Sequence, residues 1–98
     1  MRRRFALPWT GGTLVVDFWA SWCGPCRMLA PVMEQISEEL SDKATFAKID
    51  VDDNPELARE YSIMSIPCVM VFKDGKLAGK NVGFGAKDAM KEFIEKYI

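Results

Sequence analysis

The chain has no histidine among its 98 residues. That absence removes Cys-His proteases, Ser-His-Asp hydrolases and the common zinc sites built on imidazole. Cysteine is scarce as well. Cys23, Cys26 and Cys68 make an odd number, too small for the disulfide framework of a compact secreted protein. Zinc would need four ligands, commonly from two close cysteine pairs, and there is one such pair, so no metal is expected. No apolar run approaches the roughly 20 residues of a membrane span, and no membrane partner is expected. Neither sign of charge is in excess, the net being −1. Arg2, Arg3 and Arg4 supply three of the thirteen basic residues, leaving ten against fourteen acidic ones in the rest of the chain. Nucleic-acid binding needs a basic face, so no nucleic-acid partner is expected either.

The first residues imitate the charged head of a secretory signal. Pro8, Thr10, Gly11 and Gly12 arrive before a seven-residue apolar stretch can form. The expectation is a solvated arm over residues 1–12 and a cytoplasmic protein. Composition, 49% hydrophobic and 28% charged, fits one globular domain over residues 13–98.

Thr13 to Trp19 is a nearly continuous apolar, β-branched and aromatic run, which reads as a strand covered on both faces. A helix is predicted from about Cys23 to Ser41, with Met28, Leu29, Val32, Met33, Ile36 and Leu40 at helical spacing and a kink at Pro31. Thr45 to Val51 reads as a second strand. Asn54-Pro55-Glu56 starts a short helix ending near Tyr61. Pro67 to Lys73 is a third strand, and Asp74-Gly75 a hairpin turn into a fourth, Lys76 to Val82. A last helix begins at Ala86. The order β-α-β-α-β-β-α implies a mixed sheet with helices on both faces. The methionines Met28, Met33, Met64, Met70 and Met90 read as core filling. The acidic residues Glu34, Glu38, Glu39 and Asp42 read as a solvated helix face.

The chemistry concentrates in Trp22-Cys23-Gly24-Pro25-Cys26. Positions i and i+3 at a helix start share one face, with Cα atoms roughly 5 Å apart, inside the window for a disulfide. The two sulfurs can be joined or free with little backbone movement, as a reversible dithiol/disulfide carrier requires. Cys23, at the helix tip, is the expected nucleophile, because unpaired N–H groups and the macrodipole favour a negative sulfur there. Cys26 is the expected resolving thiol. Gly24 keeps bulk away from Cys23, so that a protein partner can approach. Pro25 places no charge between the sulfurs, which inclines the pair toward donating electrons.

Asp17 interrupts an apolar strand shortly before this turn. A carboxylate buried there has a raised pKa, which suits a general base accepting the Cys26 proton. The alternative is an Asp at a sheet edge satisfied by water. Lys48, in the next strand, is the expected modulating partner of Asp17.

Val16 to Met28 closely resembles the active-site segment of the thioredoxin family. The likeness continues through Ala30-Pro31, Ala47 to Asp52, Ser65-Ile66-Pro67 and Val71 to Gly75, then weakens after Val82-Gly83. It spans residues 13–98. The resemblance implies an α/β thioredoxin-like fold, a central mixed sheet of about four strands flanked by helices on both faces. It implies a cis Ile66-Pro67 peptide facing the disulfide, and a substrate groove made by Trp22, Ile66, Pro67 and Gly83, where an extended peptide pairs with backbone. It also implies a general protein-disulfide reductase acting on disulfide-containing proteins, recharged by a reductase of the thioredoxin-reductase type and needing no bound cofactor. A disulfide oxidant or isomerase is the first rival, opposed by Pro25. A redox-inert accessory subunit is the second, opposed by the intact cysteine pair and Asp17.

Two departures from the family pattern stand out. Cys68 follows Pro67, where threonine is usual; buried filler is expected, with alternative disulfides as the other reading. The first βα unit is missing or reduced, which would leave the Thr45–Val51 strand as an unpaired edge. Either Phe5, Leu7 and Trp9 fold back over it, or two chains pair through it, giving a monomer or a weak dimer.

Overall fold

The computed structural model describes residues 12–98. Strand β1 (Thr13–Trp19) is followed by α1 (Gly24–Glu39), β2 (Thr45–Asp50), α2 (Pro55–Glu60), β3 (Cys68–Lys73), β4 (Lys76–Val82) and α3 (Lys87–Glu95). The strands form one sheet in the order β2-β1-β3-β4. β1 runs parallel to β2 and antiparallel to β3, and β3 is antiparallel to β4, with a register irregularity at Val71/Phe72.

β1 is apolar except at Thr13 and Asp17 because it lies inside the sheet and is covered on both sides, every residue from Thr13 to Phe18 being buried. Its alternation still divides two cores. Val15, with Val69 and Val71 of β3, packs against Leu29, Met33 and Ile36 of α1 and Met90 and Ile94 of α3. Leu14, Val16 and Phe18 face the other way, with Cys68, Met70 and Phe72, and are covered by Leu57 of α2 and by Tyr61. Burying a side chain such as Phe18 or Leu29 in full contributes about 1.5–3 kcal/mol. The sheet is therefore mixed and sandwiched between helices, as the element order requires.

The β3–β4 turn is built as its residues dictate. Asp74 and Gly75 have φ of 51° and 89°, the left-handed pair that a two-residue turn needs to match strand twist. At Gly79, a Cβ would lie 2.5 Å from Cζ of Tyr97, so the Tyr97 ring packs over β4 where that position has no side chain. α1 continues through Pro31. The ring costs one backbone hydrogen bond, and the buried face on either side offsets the loss.

Two expectations change here. Met28 and Met64 are not core residues: they are 59% and 90% exposed, while Met33, Met70 and Met90 are buried. Glu39 is not merely solvated, because it accepts hydrogen bonds from Lys87 and Lys91 (2.7 Å for Lys91) and ties α1 to α3. Among the described residues β2 is a sheet edge, as anticipated. Phe5, Leu7 and Trp9, proposed to cover that edge, lie outside the described residues.

Candidate redox site

β1 ends at Trp19, the chain turns through Ala20 to Trp22, and α1 begins immediately after Cys23. Cys23 is the N-cap residue, with extended backbone at φ −92° and ψ 112°. Its sulfur accepts a 3.2 Å hydrogen bond from the backbone N–H of Cys26, the type of unpaired donor that a helix start provides. Pro25 occupies the first turn, where a missing N–H carries no penalty. Cys23 and Cys26 form a disulfide, with Cα atoms 5.2 Å apart. Both are nearly enclosed, 5% and 3% exposed, in a small apolar cluster with Ala20, flanked by Trp19, Val51 and Ile66.

The loop before β3 closes the site from the other side. Cys23 Sγ lies 3.8 Å from the Ile66 carbonyl oxygen, and the Ile66–Pro67 peptide is cis. Gly83 N–H donates to the Pro67 carbonyl at 2.8 Å, joining the end of β4 to this loop. Its φ of +97° belongs to the region that favours glycine. Gly24 is different. A Cβ there would meet nothing within 4 Å, so the chain's own packing makes no demand for glycine.

Asp17 is buried at 3% exposure, on the α1 side of the sheet, and its Oδ1 has no hydrogen-bond partner. Burial pushes its pKa from 3.8 up to about 6, against the opposing pull of the Lys48 ammonium. Asp17 does not lie at a sheet edge, since β1 is an inner strand. Lys48 is in register with Asp17 across β1 and β2. Its ammonium stands 5.0 Å from the centre of the Trp19 ring, at a distance for cation–π attraction. A cavity of about 410 Å³ between α1 and β2, lined by Asp17, Met33, Glu34, Ser37, Phe46 and Lys48 among others, opens this carboxyl toward solvent.

The residues singled out in the sequence thus gather at one end of the sheet. Trp22, Cys23, Gly24, Pro25 and Cys26 sit at the α1 start, with Ile66, Pro67 and Gly83 against them and Asp17 and Lys48 beneath the α1 face of the sheet. Cys68 is a buried free thiol in the core on the α2 side, in a different apolar cluster from the disulfide, although Val51 and Ile66 flank both clusters. Burial raises its pKa, favouring the protonated thiol. One residue was missed. Asp52, just past β2, accepts a 2.8 Å hydrogen bond from Trp22 Nε1. Its signal was present, an acid one turn beyond a strand that pairs with β1, but nothing local linked it to an indole thirty residues earlier.

No group of three or more metal-ligating side chains occurs among the described residues. A partially exposed tryptophan, a dithiol at a helix start and a buried acid make an arrangement suited to exchanging two electrons with a partner's sulfurs.

Comparison with known proteins agrees with this geometry. The Thioredoxin family model matches residues 9–96. Thioredoxin of Bacillus subtilis (strain 168) is 46% identical over 94 residues, covering 96% of this chain and 90% of that protein. Thioredoxin of Staphylococcus aureus (strain Mu50) is 48% identical over 87 residues, covering 89% and 84%. A mutant thioredoxin from Halobacterium salinarum NRC-1 superposes with a TM-score of 0.82 at 42% identity, over 89% of this chain and 75% of that one. With its Cys23–Cys26 disulfide, this chain belongs to the thioredoxin family and is a thiol–disulfide oxidoreductase.

Proposed function

We propose that the chain acts as a general protein-disulfide reductase in which Cys23 attacks, Cys26 resolves and Asp17 takes the proton. The Cys23 thiolate attacks one sulfur of a substrate disulfide, forming a mixed disulfide and releasing the other substrate sulfur as thiolate. Cys26 gives its proton to Asp17 and attacks Cys23 Sγ. The Cys23–Cys26 disulfide forms, the second substrate thiolate leaves, and two electrons have passed to the substrate. An external dithiol donor, a reductase of the thioredoxin-reductase type, then restores the pair. No bound cofactor enters the cycle.

The observation that carries this reading is the capping geometry: the Cys26 N–H directed at Cys23 Sγ at the start of α1. The same contact stabilises a thiolate on Cys23 when the disulfide opens. Asp17 suits its role because it is buried, lacks a partner at Oδ1 and has a pKa near the working range. Lys48 tunes that pKa downward. Trp22, Ile66, Pro67 and Gly83 form the proposed substrate groove. Gly24 and Pro25 belong to the approach surface, since a side chain at Gly24 would obstruct only an incoming partner. Electron delivery of this kind fits a cytoplasmic protein, and no described helix is long and apolar enough to cross a membrane.

The test is reduction of a disulfide-bonded protein substrate with a dithiol donor. Turnover is expected, lost in Cys23→Ser, whereas Cys26→Ser accumulates a mixed disulfide on Cys23 visible as added mass. Absence of turnover with retained substrate binding would replace this reading with the accessory role.

A further inference from the structure

The cavity of about 410 Å³ between α1 and β2 is separate from the proposed substrate groove: Trp22, Ile66, Pro67 and Gly83 do not line it. Its volume falls within the roughly 300–1,000 Å³ of small-molecule sites. Ala30, Met33 and Phe46 give it apolar walls, and Asp17, Glu34 and Lys48 are its charged groups. Apolar walls with a few polar groups set among them are how such sites hold and orient a ligand.

The polar groups differ in what they leave open. The Ser37 hydroxyl, also at the wall, donates to the Glu34 carbonyl within α1 at 2.7 Å. The Lys48 ammonium stands against the Trp19 ring. Asp17 is 3% exposed, and its Oδ1 has no hydrogen-bond partner among the described residues. A buried acceptor left unpaired is costly, so a donor brought to it gains more than it would in water.

The charges decide which donor. A cation would be drawn by Asp17 and Glu34 but repelled by Lys48, whose charge already acts on the Asp17 carboxyl. An anion would meet two carboxylates. A neutral hydroxyl meets neither repulsion and costs less to desolvate than an ion. Met33 adds a thioether and Phe46 a ring, both of which favour contact with an aromatic body.

We infer that this cavity is a binding site for a small neutral aromatic alcohol of the phenol class, its ring against Met33 and Phe46 and its hydroxyl donating to Asp17. The site goes beyond the reductase reading and does not depend on it. In the proposed cycle, an occupant would hold the carboxyl that accepts the Cys26 proton, while leaving the substrate groove open.

The test titrates the full chain, isotope-labelled for amide spectra, at about pH 8, where the Asp17 carboxyl is ionised. Three probes share one ring: p-cresol, p-methylanisole, whose hydroxyl is methylated, and p-methylbenzylamine, which is a cation. Amide shifts read both place and affinity. p-Cresol is expected to shift Ala30, Met33, Glu34, Ser37 and Phe46. It should bind about tenfold more tightly than p-methylanisole, the scale of one hydrogen bond to a buried charge. Asp17→Ala should bring those two probes level, and Ala30→Phe, which narrows the cavity, should weaken both. Equal affinity for the two in the unaltered protein, or a preference that survives in Asp17→Ala, would overturn the inference. So would tighter binding of the amine, or shifts confined to other parts of the fold. Absence of shifts with every probe, the result if residues 1–11 already fill the cavity, would overturn it as well.

Discussion

Trp22 Nε1 donates a 2.8 Å hydrogen bond to Asp52 Oδ2, across thirty residues of sequence. The indole of Trp22, next to Cys23 in the chain, is 68% exposed, yet it is bonded to a carboxylate just past the end of the neighbouring strand.

Removing that acceptor should loosen the indole without disturbing the core. Asp52→Ala is expected to lower kcat/KM toward a protein disulfide about fivefold, the loss of roughly 1 kcal/mol from one partly solvated, charge-assisted bond. Trp22 fluorescence lifetimes should broaden alongside. An unchanged rate with a broadened lifetime would show that indole orientation is irrelevant to substrate capture.

Asp17 predicts a pH dependence of stability with a definite sign. Its carboxyl binds a proton more tightly when folded, with pKa about 6 against an ordinary 3.8. The stability linked to the protonated form is complete below pH 3.8 and is lost as pH rises through about 6. Asp17→Asn removes the buried charge and should stabilise the fold by about 3 kcal/mol at about pH 8, given about 1.4 kcal/mol per pKa unit. The gain should vanish by about pH 4. Urea titrations across this range decide it; equal midpoints throughout would mean that the carboxylate is not desolvated. The same variant should slow the Cys26 step near neutral pH while sparing the first attack.

Glu39 carries the opposite sign. Hydrogen bonds from Lys87 and Lys91 hold its pKa down at about 2, below the ordinary 4.5. The stability it contributes is present above pH 4.5 and is lost as pH falls toward 2. Because the cluster is solvent-exposed, Glu39→Gln should lower Tm at neutral pH only slightly, by less than about 5 °C, and less still in high salt. Calorimetry at two salt concentrations checks this. A salt-independent drop would point to packing rather than charge.

Cys68→Ser places a hydroxyl in the apolar cluster around Phe18 and Phe72. The expected cost is about 1–3 kcal/mol if the hydroxyl finds no partner. Reoxidation products, read by mass spectrometry, should not change, because the thiol is buried outside the cluster that holds the disulfide. A new product in the unaltered protein that disappears in this variant would give Cys68 a redox role.

Element order and strand limits were legible in the residues because they depend on local properties. The apolar run from Thr13 gave an inner strand, and Asp74-Gly75 gave the left-handed turn that glycine and aspartate tolerate. The spacing of Cys23 and Cys26 gave a closable pair at a helix start. What faces each residue was less legible. Met28 obeys the helical stripe of α1 yet lies outside the packed face, and Met64, apolar by type, is almost wholly in solvent. Periodicity specifies a direction around an element, not whether another element arrives there.

By itself, then, the sequence determined a mixed sheet between helices and a dithiol at a helix tip, since backbone preference, turn chemistry and three-residue spacing act within one element. Only the tertiary structure decided that Asp17 would be buried without a partner at Oδ1, that Lys48 would stand in register with it, and that Asp52 would hold Trp22. It also decided that Glu39 would bind two lysines of α3. These outcomes depend on the distances between side chains of different elements, which chain packing fixes and sequence separation does not encode.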